Sequence, residues 1–80
     1  MTEDGILNRI DELIAEEHAL RARAAGTGLS AVDRDRLTAL EQRLDQCWDL
    51  LRRRRARTEF AEDPDETEVR SVAQVEGYRQ

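Results

Sequence analysis

Lysine is absent from this chain, and proline, cysteine, methionine, tryptophan, tyrosine and phenylalanine each occur once. A single cysteine excludes an intrachain disulfide and gives no reason to invoke an oxidising compartment. So few aromatics, with the β-branched residues scattered, argue against strands and leave helix as the default. No apolar run approaches the roughly 20 residues that span a bilayer, and no cationic-then-apolar start marks a secretory leader. The expectation is a soluble, cytoplasmic protein with no membrane partner. Also missing are a Gly-rich phosphate loop, a Ser-His-Asp set and a nucleotide fingerprint. Neither an enzyme nor a cofactor is expected.

What the chain does have is charge. Charged residues are 39% of its 80 positions, matching the apolar fraction, which suits long two-sided helices better than a thick core. All 13 basic residues are arginine, against 18 acids, and the net charge of −5 disfavours a general nucleic-acid binder because phosphates repel it. A chain this short implies one small domain, and such domains often add an oligomeric interface.

Apolar spacing sets the architecture. Ile6, Ile10, Leu13, Leu20 and Ala24 follow heptad steps, with Glu17 in the same stripe, and Leu7 and Ile14 widen it on one side. Gly26-Thr27-Gly28 breaks this first helix, and Ser30 caps the next. Leu37, Leu40, Leu44, Cys47 and Leu51 repeat the pattern until Arg54 and Thr58 take its next positions. The short connection predicts an all-α antiparallel two-helix hairpin over residues 1–61, with helices at about 3–25 and 31–60. A turn centred near Gly28 sets Leu20 opposite Leu37, Leu13 near Leu44 and Leu7 near Trp48. Residues 62–80 form an acidic C-terminal tail, expected to dock on the hairpin. Asp63-Pro64 and the Ser71/Gln74 pair mark short helical elements there, and Val69, Val72, Val75 and Tyr78 recur every third residue.

Three groups are candidates for function. Arg52, Arg53, Arg54, Arg55 and Arg57 could contact phosphate, but four consecutive residues point all round a helix turn, and an acidic tail follows directly. A solvated, internally paired cluster is the plainer reading. His18, Glu16, Glu17 and Cys47 invite a metal, yet Ala15 stands where Glu-x-x-His spacing needs a carboxylate, and the hairpin separates Cys47 from His18 by roughly 13 Å. Cys47 on the seam reads as a small hydrophobe, and Asp45 and Asp49 read as solvated surface acids. The third group is Leu7, Ile14, Trp48 and Leu50, apolar area flanking the seam, with Tyr78 as a tail anchor. Trp48 packs inside the hairpin, under the tail, or against a second subunit.

Leu44-Asp45-Gln46-Cys47-Trp48-Asp49-Leu50-Leu51-Arg52, followed by Arg54-Arg55-Ala56, resembles the signature of a short actinobacterial family of unknown function. Glu16-Glu17-His18, Asp63-Pro64-Asp65-Glu66 and Val75-Glu76-Gly77-Tyr78 match the same pattern in order. Ser71 departs from it, standing where the pattern has proline. The resemblance covers nearly the whole chain, reinforces the architecture and implies no activity, cofactor or catalytic residue. The functional expectation is therefore a small non-enzymatic helical interaction module that self-associates as a homodimer. The alternative is an RNA- or ribosome-associated factor using Arg52–Arg57.

Overall fold

A computed structural model describes residues 2–77. Those residues are all-α: α1 (Glu3–Arg23), α2 (Ala31–Glu59), a 3-10 turn (Pro64–Glu66) and α3 (Val72–Gly77). Tyr78 lies outside the described residues.

Each start has a visible cause. Thr2 accepts from the Gly5 amide at 3.1 Å, and Ser30 accepts from the Asp33 amide at 3.1 Å. These side-chain oxygens satisfy amides that the first turn leaves without partners. Asp63 does the same for Asp65 with Pro64 at the first helical position. Ser71 and Gln74 bond reciprocally, completing a capping box ahead of α3.

The stops differ. α1 ends before Gly26, whose φ of 87° is open to a residue without Cβ. α2 ends on a residue that carries one. Ala61 has φ 57°, the Glu62 amide reaches back to Arg57 O at 2.7 Å, and the Ala61 amide reaches Thr58 O at 3.2 Å. That is the two-bond left-handed stop usually built on glycine, held here by alanine at a steric cost of roughly 1–2 kcal/mol.

α1 and α2 pack antiparallel along two adjoining clusters. Ile6 and Ile10 meet Leu50 and Leu51 at one end, with Leu7, Ile14, Leu44 and Cys47 against them. Leu13 and Leu20 meet Leu40 at the other, with Leu37, Leu44 and Cys47 against them. Leu13, Leu20, Leu37 and Leu44, expected in neighbouring layers, meet in this one cluster, but Leu44 is only partly buried, while Leu40 and Leu51 are enclosed.

Every described element contact runs through α2, which packs against α1, the 3-10 turn and α3. Val75 is the buried anchor of α3. The Cα framework measures 51 × 27 × 14 Å, so the molecule is a layer one helix deep.

Candidate functional site

Four of the five arginines in the run are engaged by the protein's own groups. Arg54 is 7% exposed and donates to Pro64 O at 2.9 Å and to Asp65 at 3.1 Å. Arg53 donates to Asp49 and to Glu68 O. Arg55 pairs with Glu3 at 2.8 Å, and Arg57 with Glu66 at 3.7 Å. Arg52 is exposed and makes no ion pair or hydrogen bond among the described residues. The cluster is thus paired as expected but not uniformly solvated. Arg54 is buried because the 3-10 turn folds over the end of α2 and takes its guanidinium on a carbonyl.

Two further positions correct the sequence reading. Asp49, expected in solvent, is 7% exposed, bonded to Arg53 and 3.8 Å from Arg70. The tail causes this, since Gln46 holds the Arg70 carbonyl at 3.2 Å and brings the Arg70 side chain over α2. Leu50, expected on the flank as interface, is instead core. It packs with Ile6 and Ile10, and Val69 lines a hollow beside it with Arg9, Leu13, Arg43, Gln46 and Cys47. The Cys47 thiol is half-buried, and desolvation pushes its pKa up against a smaller lowering by Arg9, so it is a poor nucleophile. His18 is exposed, and no cluster of three His, Cys, Asp or Glu side chains with metal-binding geometry occurs among the described residues.

The remaining flank residues converge on one face. Glu3, Leu7, Ile14 and Arg21 share a stripe of α1, and Leu37, Glu41, Leu44, Trp48 and Arg55 share a stripe of α2. Arg21–Glu41 at 3.3 Å joins the two stripes near one end, and Arg55–Glu3 joins them near the other. Leu7, Ile14, Leu44 and Trp48 therefore lie between two ion pairs on one side of the hairpin. On the opposite side, Arg36 pairs with Glu16, and the hollow containing Val69 opens. Trp48 is 40% exposed at a second hollow of about 370 Å³, lined by Thr38, Glu41, Gln42, Leu44, Asp45, Trp48 and Glu76. α3 thus reaches the rim of this face without covering it.

Residues 2–80 match the model of a family described as "Protein of unknown function (DUF2630)". The chain belongs to the DUF2630 family. It is 47% identical over 78 residues to the uncharacterized protein Rv0898c of Mycobacterium tuberculosis, covering 96% of this chain and 90% of that one. The same figures hold for the uncharacterized protein Mb0922c of Mycobacterium bovis. No solved structure matches. Membership in DUF2630 bears out the family resemblance of the Leu44–Arg52 segment, and in this DUF2630 chain that segment supplies both Trp48 and the buried Asp49. Among the described residues, no helix is long and apolar enough to cross a membrane.

Proposed function

We propose that this DUF2630 protein is a small, non-enzymatic helical interaction module that self-associates as a homodimer through its Leu7–Ile14–Leu44–Trp48 face. The observation that carries this reading is where the tail goes. Through residue 77 it packs on α2 and reaches only the rim of that face, where Glu76 borders the hollow, and Trp48 is 40% exposed. A broad side bounded by 51 × 27 Å has room for the roughly 800 Å² per partner of a standard interface.

The magnitudes describe a modest dimer. At 40% exposure, roughly 60–100 Å² of Trp48 remains to be covered, about 1.5–2.5 kcal/mol per copy. Association costs about 4 kcal/mol or more in lost freedom, so Leu7, Ile14 and Leu44 must contribute as well. The proposal places the dissociation constant between about 1 μM and 1 mM, equivalent to roughly −8 to −4 kcal/mol. The RNA reading draws less support, because Arg53, Arg54, Arg55 and Arg57 are all engaged within the chain.

Light scattering at micromolar and near-millimolar concentration tests the proposal. The mass should rise toward twice 9.2 kDa at the higher concentration and stay monomeric for Trp48→Ala. A monomeric mass for the unaltered chain at both concentrations would refute it.

A further inference from the structure

The hollow on the side of the hairpin opposite Trp48 has a different character from the one beside the indole. Its volume is about 190 Å³, and it is lined by Arg9 and Leu13 of α1, by Arg43, Cys47 and Leu50 of α2, and by Val69 of the tail. The sequence explains why it is not filled. Cys47 stands on the stripe of Leu37, Leu40, Leu44 and Leu51, and its short side chain ends where a leucine would still branch. The tail does not close the gap either. Arg53 holds the Glu68 carbonyl at 2.6 Å and Gln46 holds the Arg70 carbonyl at 3.2 Å, so the backbone is pinned to α2 on both sides of Val69. Val69 stays 58% exposed, while Leu13 and Leu50 beneath it are buried.

The charge at this hollow has one sign. Its ionised lining groups are Arg9 and Arg43, one from each helix, and no carboxylate lines it. Arg43 is exposed and has no ion pair or hydrogen bond among the described residues. Arg9 reaches Glu12 at 3.2 Å, an exposed pair within one helix that water screens. Setting Glu12 against Arg9, the hollow keeps the uncompensated charge of Arg43. Burial raises the Cys47 pKa and Arg9 lowers it, so the Arg9 charge is felt at the thiol as well.

We propose that this hollow binds a small monocarboxylate with an apolar chain of about five to seven carbons. The size follows from the volume: at about 30 Å³ for each water-sized group, 190 Å³ holds roughly six. Pockets for drug-sized molecules are larger, about 300–1,000 Å³. The chain lies against Leu13, Cys47, Leu50 and Val69. The carboxylate sits between Arg9 and Arg43, whose guanidinium forks match its two oxygens. A neutral chain would leave Arg43 unanswered, and a bare carboxylate would leave the apolar wall wet. Trp48 lies on the other side, so this proposal does not rest on self-association.

Sodium octanoate is the probe, titrated into isotope-labelled protein at neutral pH and constant ionic strength and followed by amide NMR. Shifts should saturate at Leu13, Arg43, Cys47, Leu50 and Val69, and saturating octanoate should slow the alkylation of Cys47 by iodoacetamide. Octanol and acetate should each bind about fivefold more weakly or worse, since one lacks the charge and the other the chain. Arg43→Gln removes a surface charge and should weaken octanoate about fivefold or more, with helicity by circular dichroism unchanged. Cys47→Leu fills the hollow and should weaken it about tenfold or more; if overpacking unfolds that variant, Arg43→Gln decides alone. No saturable shift up to about 10 mM octanoate overturns the proposal. So does octanol binding as tightly as octanoate, or undiminished binding by Arg43→Gln. Saturable shifts confined to Thr38, Leu44 and Trp48 would put octanoate in the other hollow and overturn it too.

Discussion

Leu40 and Leu44 sit one turn apart on the same stripe of α2, and a heptad reading treats them alike. The structure separates them. Leu40 is 0% exposed between Leu13 and Leu20, whereas Leu44 is partly buried at the edge of both clusters. Leu40→Ala removes three carbons from a closed site, about 2 kcal/mol of transfer free energy. If the helices do not close, a void of roughly 80 Å³ adds about 2 kcal/mol more. A seam two helices wide can close partway, so the expected loss is about 3 kcal/mol. Against the 4–12 kcal/mol or so expected for 80 residues, that is a quarter of the stability or more. Leu44→Ala forfeits only part of its transfer term and opens to solvent rather than to a void, so about 1–1.5 kcal/mol is expected. Urea denaturation followed at 222 nm measures both. One protein concentration, below any dimerisation, must be used, because association adds its own stabilisation. A Leu44→Ala loss equal to that of Leu40→Ala, or a Leu40→Ala loss under about 1 kcal/mol, would refute the placement of the core.

Ala61→Gly should stabilise the protein by about 0.5–1 kcal/mol, because glycine occupies the left-handed stop of α2 without the Cβ penalty; a lower melting temperature would contradict that account. Asp49→Ala strips a buried acceptor from Arg53 and a neighbouring charge from Arg70, and should cost about 2–4 kcal/mol, read as faster amide exchange in residues 68–76 as well as lower urea stability. The Cys47 thiol, held above its ordinary 9.0 by burial, should be alkylated by iodoacetamide at pH 8 more slowly in the folded protein than in urea. A folded value above the unfolded one means that the thiol's contribution to stability is complete below pH 9.0 and is lost as the pH rises through the folded value. Removing residues 62–80 should release Arg53, Arg54 and Arg57 and increase retention on RNA at low salt, and unchanged retention would show that the tail does not mask them.

The helices were legible because two independent signals agreed. Heptad spacing from Ile6 to Leu20 and from Leu37 to Leu51 gave the buried stripes, and Ser30, Gly26 and the Ser71/Gln74 pair gave the boundaries. The errors gather where the tail crosses α2. Periodicity ranks a residue by the helix it faces, so Asp49 and Leu50, which point away from the centre of the seam, read as surface. Each is buried with help from a segment some 20 residues downstream that itself has little periodic pattern. One signal was present: Asp49 and Arg53 stand at the spacing of a helical ion pair, and Arg70 supplies a second cation. The burial of Arg54 has a related cause. It stands in the heptad series, but the carbonyl that accepts its guanidinium belongs to Pro64, and such a partner leaves no trace in a pattern of side-chain polarity.

A framework 14 Å thick has no position with helices on every side. The apolar seam is bounded by its two backbones and, above and below, by whatever the flanking side chains lay over it. One flank is apolar and the other largely charged, and Glu17, on the stripe between Leu13 and Leu20, is well covered, its side chain only 21% exposed. Its methylene carbons sit with the leucines while its carboxylate reaches Arg21 at 3.9 Å. The high charge content and the small core are then aspects of a single design. In so thin a protein, the carbon in a glutamate serves as part of the wall that a third helix would otherwise provide.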